Sequence, residues 1–258
     1  MPTNKSLGQH WLHDRDTLAH IADCAELTLD DTVLEIGPGL GTLTSELLRR
    51  SKKVIAVEFD SELARKLPGQ FPGKNLEVVT SDILSFDLLS VPAGYKVVAN
   101  VPYYITSKIV QMLMTTTNKP AISVLLVQKE VAERLAARPG DMSILAISAQ
   151  LFAEVSLFAE VPAALFTPPP KVDSQVVVLK TRQQPLLGDI SEKEFFHVVK
   201  AGFSSKRKKL RSSLAGGLGL PKDQIETILT SVDVSPDNRA EELSIQQWLD
   251  LAVAFRAR

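Results

Sequence analysis

The 258-residue sequence predicts a doubly wound α/β sheet followed by a small all-α domain. Short β-branched runs alternate with helical patterns up to Lys180, and beyond it apolar residues recur only at three- and four-residue spacing. A polar joint containing Gln, Pro and Gly separates the two parts, so we predict domains at 1–184 and 185–258. The predicted strands are 33–36, 54–58, 76–80, 96–99, 122–128 and 175–180, and the predicted helices are 43–50, 61–67, 108–114, 129–137, 192–203, 206–214, 222–229 and 245–255.

Composition and charge exclude several classes of protein. Hydrophobic residues make up 45% of the chain and charged residues 23%, which is typical of a folded globular protein. No run approaches the roughly 18 apolar residues of a membrane-spanning helix, and a single cysteine, Cys24, cannot form an intramolecular disulfide. We therefore expect a cytoplasmic protein with no membrane partner. The net charge of −1 offers no general attraction for nucleic acid, so such a partner has to be argued from local clusters.

The first predicted strand runs directly into a glycine-rich turn, Gly37-Pro38-Gly39-Leu40-Gly41, which opens a helix. Glycines in such a turn let the backbone pass close to a nucleotide-like ligand at the switch point of the sheet, although a tight connection alone also uses them. Glu35, near the end of the strand, fits a second role as an acceptor for the amides of the turn.

The second and third predicted strands end near carboxylates. Glu58 is placed to accept hydrogen bonds from both ribose hydroxyls of a cofactor, which suits NAD as well as S-adenosylmethionine. The turn has the spacing Gly-x-Gly-x-Gly instead of the dinucleotide spacing, and Asp82 can bind an adenine amino group. Both features favour S-adenosylmethionine. Asp82 also fits a purely structural role as an N-cap.

The fourth predicted strand leads into Asn100-Val101-Pro102-Tyr103, a rigid polar turn. An aromatic amine is a poor nucleophile because its lone pair is delocalised into the ring. The Asn100 side-chain oxygen and the Val101 carbonyl, held in place by Pro102, can accept both N–H bonds of such an amine and favour a pyramidal nitrogen. This arrangement predicts methyl transfer to the exocyclic amine of a nucleic-acid base, without a strong general base.

Tyr103 supplies a flat surface on which the target base can stack. Because a base inside a duplex cannot reach this pocket, the substrate has to be flipped out or unpaired. The alternative is an ordinary turn with Tyr103 as a packing residue. The preceding glycine turn and the two acids favour the catalytic interpretation.

Together these residues resemble the ribosomal RNA adenine N6,N6-dimethyltransferases, which dimethylate two adjacent adenines near the 3′ end of small-subunit rRNA. The resemblance covers nearly the whole chain. It rests on residues 7–12 (Leu-Gly-Gln-His-Trp-Leu), the turn at 35–39, the Asn-x-Pro-Tyr loop, residues 128–131 (Gln-Lys-Glu-Val), residues 166–174 (Phe-Thr-Pro-Pro-Pro-Lys-Val-Asp-Ser) and the basic run 206–211.

The resemblance implies a Rossmann-like methyltransferase sheet, S-adenosylmethionine as cofactor, and small-subunit rRNA within an immature ribosomal subunit as substrate. It implies Phe166 as the second face of a base sandwich opposite Tyr103; without the family, Phe166 fits a core residue better. His10 and Trp11 stand where the family usually has Asn and Phe, which alters the expected cofactor contacts. The implied cofactor-binding residues are His10, Leu12, Gly37, Gly39, Glu58, Asp82, Ile83 and Asn100.

A basic run opens the predicted helix at 206–214. A phosphate-binding role fits this run, and a solvated helix face is the alternative. The scarcity of acids near the run favours the phosphate-binding role. We expect no metal, because the histidines lack zinc-ligand spacing, and we expect a monomer. The predicted RNA-binding residues are Lys206, Arg207, Lys208, Lys209 and Arg211.

Two other functions stay open on the sequence. One is the related large-subunit rRNA methyltransferase that confers macrolide resistance, which shares the Asn-x-Pro-Tyr loop. The other is a ribosome-assembly or transcription factor that has kept the fold and lost catalysis. The intact Glu58, Asp82, Asn100 and Tyr103 argue against a non-catalytic factor.

Overall fold

The computed structural model describes residues 10–205 and 207–256. Packing divides the described residues into two compact units, one formed by 10–133 and 153–181 and the other by 134–152, 182–205 and 207–256. The division into domains at 184 and 185 stays a prediction, because packing within one chain does not show which segments fold or function independently.

In the first unit, the described strands form a seven-stranded sheet in the order β4-β3-β2-β5-β6-β9-β7. The first five of these strands are parallel neighbours, and β9 and β7 are antiparallel. The order reverses at β2, so the carboxyl ends of β2, β3 and β5 meet at a switch point. The strands of the sheet are β2 (Thr32–Ile36), β3 (Lys53–Glu58), β4 (Leu76–Thr80), β5 (Lys96–Asn100), β6 (Ile122–Gln128), β7 (Ala153–Val161) and β9 (Ser174–Thr181).

Parallel strands buried on both faces explain why these segments are near-continuous apolar runs. Val33, Val54, Val98 and Val124 are completely buried, and helix α1 packs its apolar face on the same core through Ile21. The helices that begin in this unit are α1 (Arg15–Asp23), α2 (Thr42–Arg50), α3 (Ser61–Lys66), α4 (Thr106–Thr115) and α5 (Lys129–Leu135).

A separate two-stranded ribbon joins β1 (Trp11–Leu12) to β8 (Phe166–Thr167). The antiparallel register pairs Leu12 with Phe166 and Trp11 with Thr167. This ribbon brings the motif at the start of the described chain to the triple-proline segment, although the two strands lie far apart in the sequence.

The second unit is helical in its described residues. Trp248 is fully buried beside Phe203, with ring centroids 5.6 Å apart, and its indole occupies the space that a side chain on Gly202 would need. A Cβ on Gly217 would stand 2.6 Å from Ala201 Cα, so glycine allows helices α7 and α8 to approach closely. The helices are α6 (Ile144–Gln150), α7 (Glu192–Gly202), α8 (Leu210–Leu218), α9 (Lys222–Ser231) and α10 (Ile245–Arg256).

The predicted α/β class is confirmed, with departures in some elements. Strands β1, β7 and β8 and helices α1 and α6 were not predicted. The predicted helix 206–214 is wrong at its start: residues 207–209 form a turn, and α8 begins at Leu210, which is fully buried. In the described part of the chain, no helix is long and apolar enough to cross a membrane.

Candidate active site

A cavity of about 210 Å³ opens at the carboxyl ends of β2, β3 and β5 within the first unit. Residues 100–103 of the predicted catalytic loop line it, and so does each predicted cofactor-binding residue. The predicted cofactor-binding residues in the cavity wall are His10, Leu12, Gly37, Gly39, Glu58, Asp82, Ile83 and Asn100. Parallel strands place these residues together because their carboxyl ends share one edge of the sheet.

The glycine-rich turn takes a backbone conformation that side chains disfavour. Gly37, Gly39 and Gly41 have φ of 68°, 55° and 80°, all in the left-handed region. The Trp11 indole lies where a side chain on Gly39 would stand, so any larger residue at this position would collide with it. Trp11 therefore covers the turn directly.

Glu58 connects the end of β3 to the glycine turn. Its two carboxylate oxygens accept hydrogen bonds from the amides of Gly39, at 3.0 Å, and Asp60, at 2.9 Å. Burial raises the pKa of Glu58, and these two amide donors act in the opposite direction. A carboxylate has about four acceptor sites, so capacity remains for two ligand hydroxyls.

Glu35, on the neighbouring strand, is 1% exposed and lines the cavity. Its Oε2 has no hydrogen-bond partner among the described residues. Burial raises the pKa of Glu35 to about 8; the Thr44 hydroxyl acts in the opposite direction, and the Glu58 charge adds a smaller increase. A buried oxygen without a partner, next to the glycine-rich turn, fits a ligand that supplies its own hydrogen-bond donors. The ammonium group of S-adenosylmethionine is one such donor.

The shifted pKa predicts a pH-dependent stability for the cofactor-free protein. The folded state holds a proton on Glu35 that the unfolded chain loses above its ordinary pKa, so stability is full below that pKa and is lost as pH rises to about 8. The slope for one such proton is about 1.4 kcal/mol per pH unit. We expect Glu35→Gln to raise the Tm relative to the wild type increasingly between pH 5 and pH 8.5, as measured by calorimetry.

A matched control is Glu192→Gln, which changes an exposed carboxyl in the second unit. Its Tm difference from the wild type should stay constant over the same pH range. A Glu35→Gln difference that does not grow with pH would show that this carboxyl is ionised in the folded protein.

The amide of Asn100 has a defined orientation. Its Nδ2 donates to the backbone carbonyl of His10 at 3.3 Å, which leaves Oδ1 available as an acceptor on a residue that lines the cavity. Among the described residues, no N–H group donates to Asn100 Oδ1 or to the Val101 carbonyl. The Val101 amide itself donates to the Leu126 carbonyl at 3.1 Å, which anchors the turn to β6. Two free acceptors thus lie next to each other in the sequence at the cavity wall.

Tyr103 is held by two contacts. Its hydroxyl lies 2.7 Å from Ser174 Oγ, and its ring stacks with the His10 imidazole at a centroid distance of 5.8 Å and an interplanar angle of 20°. This distance is within the range of directly stacked rings, so no base fits between them. His10 Nδ1 lies 2.7 Å from the Pro168 carbonyl, which ties the ring to the triple-proline segment. A base that stacks on Tyr103 must therefore use the face opposite His10.

Two predicted site residues also have structural roles. Asp82 lines the cavity, and its Oδ1 caps the turn at 83–85 by accepting from the Leu84 amide at 3.0 Å. Phe166 is 3% exposed, belongs to the hydrophobic core through Leu12, and is not part of the cavity wall. Its predicted place in the base sandwich stays a prediction.

Two residues of the basic run 206–211 form ion pairs that the sequence did not predict. Lys209 pairs with Asp237 at 2.9 Å, and Arg211 pairs with Glu226 at 3.2 Å and with Asp237 at 3.3 Å. The expected scarcity of nearby acids is wrong, because helix α9 and the loop after it bring these two carboxylates to the run. Arg207 and Lys208 are exposed and have no acidic partner among the described residues, whereas Lys206 lies outside them. The described residues contain no group of three potential metal ligands.

The fold and the site define an S-adenosylmethionine-dependent methyltransferase whose acceptor is an amine. The profile of the ribosomal RNA adenine dimethylase family matches residues 2–256. The chain therefore belongs to the ribosomal RNA adenine dimethylase family, as predicted.

Named relatives and solved structures agree with this membership. The chain is 41% identical to ribosomal RNA small subunit methyltransferase A of Dehalococcoides mccartyi, over 99% of this chain and 89% of the relative. The corresponding protein of Desulfitobacterium hafniense is 43% identical, over 95% and 89%. The structure superposes on a dimethyladenosine transferase from Plasmodium falciparum with a TM-score of 0.85 and 30% identity, covering 96% of this chain and 98% of that one. It superposes on the 23S rRNA methyltransferase ErmE with a TM-score of 0.78 and 31% identity, covering 95% and 99%.

Proposed function

We propose that this enzyme transfers methyl groups from S-adenosylmethionine to the N6 amines of two adjacent adenines near the 3′ end of small-subunit rRNA. The relatives named small subunit methyltransferase A cover nearly the whole chain at about 40% identity. We further propose that it acts as a cytoplasmic monomer on an immature ribosomal subunit.

The observation that carries the proposal is the pair of free acceptors, Asn100 Oδ1 and the Val101 carbonyl. An adenine amine has two N–H bonds, and these two oxygens can accept both. Asn100 cannot rotate its amide without losing the hydrogen bond to His10, so the acceptor is oriented before the substrate arrives.

Binding of both N–H bonds localises the lone pair of the amine. S-adenosylmethionine supplies, when bound, an electrophilic methyl group on a sulfonium. The nitrogen that accepts this methyl group would become acidic, and Asn100 Oδ1 or the Val101 carbonyl would pass its proton to water. Orientation by Asn100, Val101 and Tyr103 supplies most of the rate.

A second acceptor RNA is favoured by one observation, the similarity to ErmE, whose name gives 23S rRNA as its substrate. The identity is 31%, against 41% for the small-subunit relative. Purified enzyme should be offered naked rRNAs from both subunits and immature small subunits, with labelled methyl donor. We expect labelling of small-subunit rRNA; labelling confined to large-subunit rRNA would overturn the assignment.

The exposed basic residues 207 and 208 are proposed to bind RNA phosphates. Lys209 and Arg211 are already paired with acids. We therefore expect the double variant Arg207→Gln, Lys208→Gln to weaken RNA binding more than replacement of Lys209 and Arg211 would. RNA affinity should fall, and the log–log salt slope should decrease by about 0.7 to 0.9 for each phosphate that the variant no longer binds. Cofactor affinity should not change.

The matched control is the double variant Lys52→Gln, Lys74→Gln, which removes two exposed lysines of the first unit. Filter binding or anisotropy at several salt concentrations gives the slope for each protein. Equal slopes for the wild type and the Arg207, Lys208 variant would place the RNA-docking surface elsewhere.

We propose that Phe166 forms the second face of the base sandwich once the substrate is bound. Phe166→Leu keeps an apolar side chain in the core and removes the flat ring. We expect methylation to fall about tenfold or more, the range for removal of one stacking ring. The Tm and the affinity for cofactor should stay near those of the wild type. Unchanged methylation in this variant would limit Phe166 to the core.

A further inference from the structure

A second aromatic side chain, Tyr104, lies beside Tyr103 at the cavity. It lines the cavity, yet it is 66% exposed. Among the described residues, no other aromatic ring stacks on Tyr104, and no group forms a hydrogen bond with its hydroxyl. The ring is therefore available to a molecule that enters or covers the cavity.

The local backbone directs the two tyrosine rings to different places. Residues Tyr103–Ile105 form a 3₁₀ turn, in which adjacent side chains point about 120° apart. Tyr103 is half-buried against His10 and Ser174, whereas Tyr104 faces outward. The two rings cannot act as one platform, so one serves the interior of the cavity and the other serves its entrance.

Exposure alone does not identify a contact, because single apolar side chains are common on protein surfaces. The position of Tyr104 is more informative. Phe59 also lines the cavity and is exposed, but it directly follows Glu58 at the cofactor end. Tyr104 instead follows the Asn100 acceptor loop. It is the exposed ring, among the described cavity residues, on the side where the methyl acceptor binds.

A nucleic-acid substrate leaves a surface that such a ring can cover. When a target base leaves the stack and enters a pocket, its neighbour loses a stacking partner. An aromatic side chain at the entrance can replace that partner, and stacking of this kind tolerates any base because each has a π-face.

We propose that Tyr104 stacks on the nucleobase that flanks the target adenine while the target amine is held by Asn100. The inference rests on the proposed function, since it needs a single-stranded target with an unpaired neighbour. Two adjacent adenines provide this neighbour for each other. Tyr104 thus acts as a positioning residue that selects consecutive unpaired bases over an isolated flipped base.

The test is a coupling experiment between the protein and the RNA. Two fragments of the small-subunit rRNA 3′ end are prepared, one intact and one with an abasic nucleotide beside the target adenine. Affinity by fluorescence anisotropy and KM by methyl incorporation are measured for the wild type, Tyr104→Ala and Tyr104→Phe. Phe158→Ala is the matched control, because Phe158 is an exposed ring, 43% accessible, that does not line the cavity.

On the intact fragment, we expect Tyr104→Ala to weaken affinity and raise KM about tenfold or more. Tyr104→Phe and Phe158→Ala should resemble the wild type, and calorimetry should show equal cofactor affinity for all four proteins. On the abasic fragment, the affinity of the wild type should fall by the same factor, and Tyr104→Ala should cause no further decrease.

Two results would overturn the inference: wild-type affinity of Tyr104→Ala for the intact fragment, or an equal effect of Tyr104→Ala on both fragments. The second result would mean that Tyr104 contacts something other than the flanking base. Failure of the wild-type enzyme to bind or methylate the intact fragment would also overturn the inference, because stacking on a flanking base requires that binding. Methylation of immature small subunits, measured in parallel, tests the proposed function separately.

Discussion

We expect the replacement of Asn100 by alanine to lower turnover by about 10²-fold or more, because it removes one of the two acceptors proposed to localise the lone pair of the amine. Asn100 lines the cavity, and its Oδ1 is available as an acceptor because Nδ2 is bound to the His10 carbonyl. The decrease should fall mainly on kcat, since the acceptor acts most strongly as the nitrogen becomes pyramidal. Single-turnover methylation with saturating cofactor and RNA measures it.

The control for Asn100→Ala is Asn118→Ala. Asn118 also donates from its Nδ2 to backbone carbonyls, those of Leu88 and Val91, but it does not line the cavity. Its replacement should lower the Tm and leave turnover near the wild-type value. Near-normal turnover in Asn100→Ala, with its fold intact, would show that another group binds the amine.

Glu58→Ala should weaken S-adenosylmethionine binding by about 1.5 to 3 kcal/mol, the range for a hydrogen bond to a charged group. This corresponds to roughly 10- to 150-fold in Kd. Glu58 is both the proposed acceptor for the ribose hydroxyls and the acceptor for the Gly39 and Asp60 amides. Part of the lost affinity should therefore come from the glycine-rich turn, because the Gly39 amide loses its acceptor.

Isothermal calorimetry of two Glu58 variants separates these contributions. Glu58→Gln keeps an acceptor oxygen for only one of the Gly39 and Asp60 amides and removes the charge, so it should keep part of the stability and still bind cofactor weakly. Glu62→Ala, an exposed acid on α3, is the control and should bind normally. Unchanged cofactor affinity in Glu58→Ala would place the ribose acceptor at another residue.

The parallel strands and the residues at their ends were predictable, because both obey local rules. Strands β2, β3, β5 and β6 are buried on both faces and appear as short apolar runs. Glu58 and Asn100 end β3 and β5. Since parallel strands align their carboxyl ends, these two residues were expected at one edge before any distance was known.

The edge strand and the ribbon were not predictable in the same way. In β7, polar residues such as Glu154, Ser156 and Glu160 interrupt the apolar pattern, because an edge strand is half exposed. The ribbon pairs only two residues of each strand, and its partners are far apart in sequence. Short pairings of this kind depend on tertiary contacts and leave almost no periodic pattern.

Contacts between residues far apart in the sequence explain the remaining differences between the predicted and the observed site. The stacking of His10 on Tyr103 joins residues that are far apart in the sequence, and the orientation of Asn100 depends on the His10 backbone. The basic run was predicted to open a helix because apolar residues follow at three- and four-residue spacing, but α8 begins at the buried Leu210. Asp237, which pairs with Lys209, comes from a loop whose position composition does not encode.

The most direct test is nucleoside mass spectrometry of small-subunit rRNA from cells that lack this protein, complemented with the wild type or with Asn100→Ala. We predict that N6,N6-dimethyladenosine is absent at two adjacent adenines near the 3′ end without the protein. The wild type should restore it, and Asn100→Ala should not. Dimethylation that persists without the protein, or that Asn100→Ala restores fully, would contradict the assignment of this site as the small-subunit adenine dimethyltransferase centre.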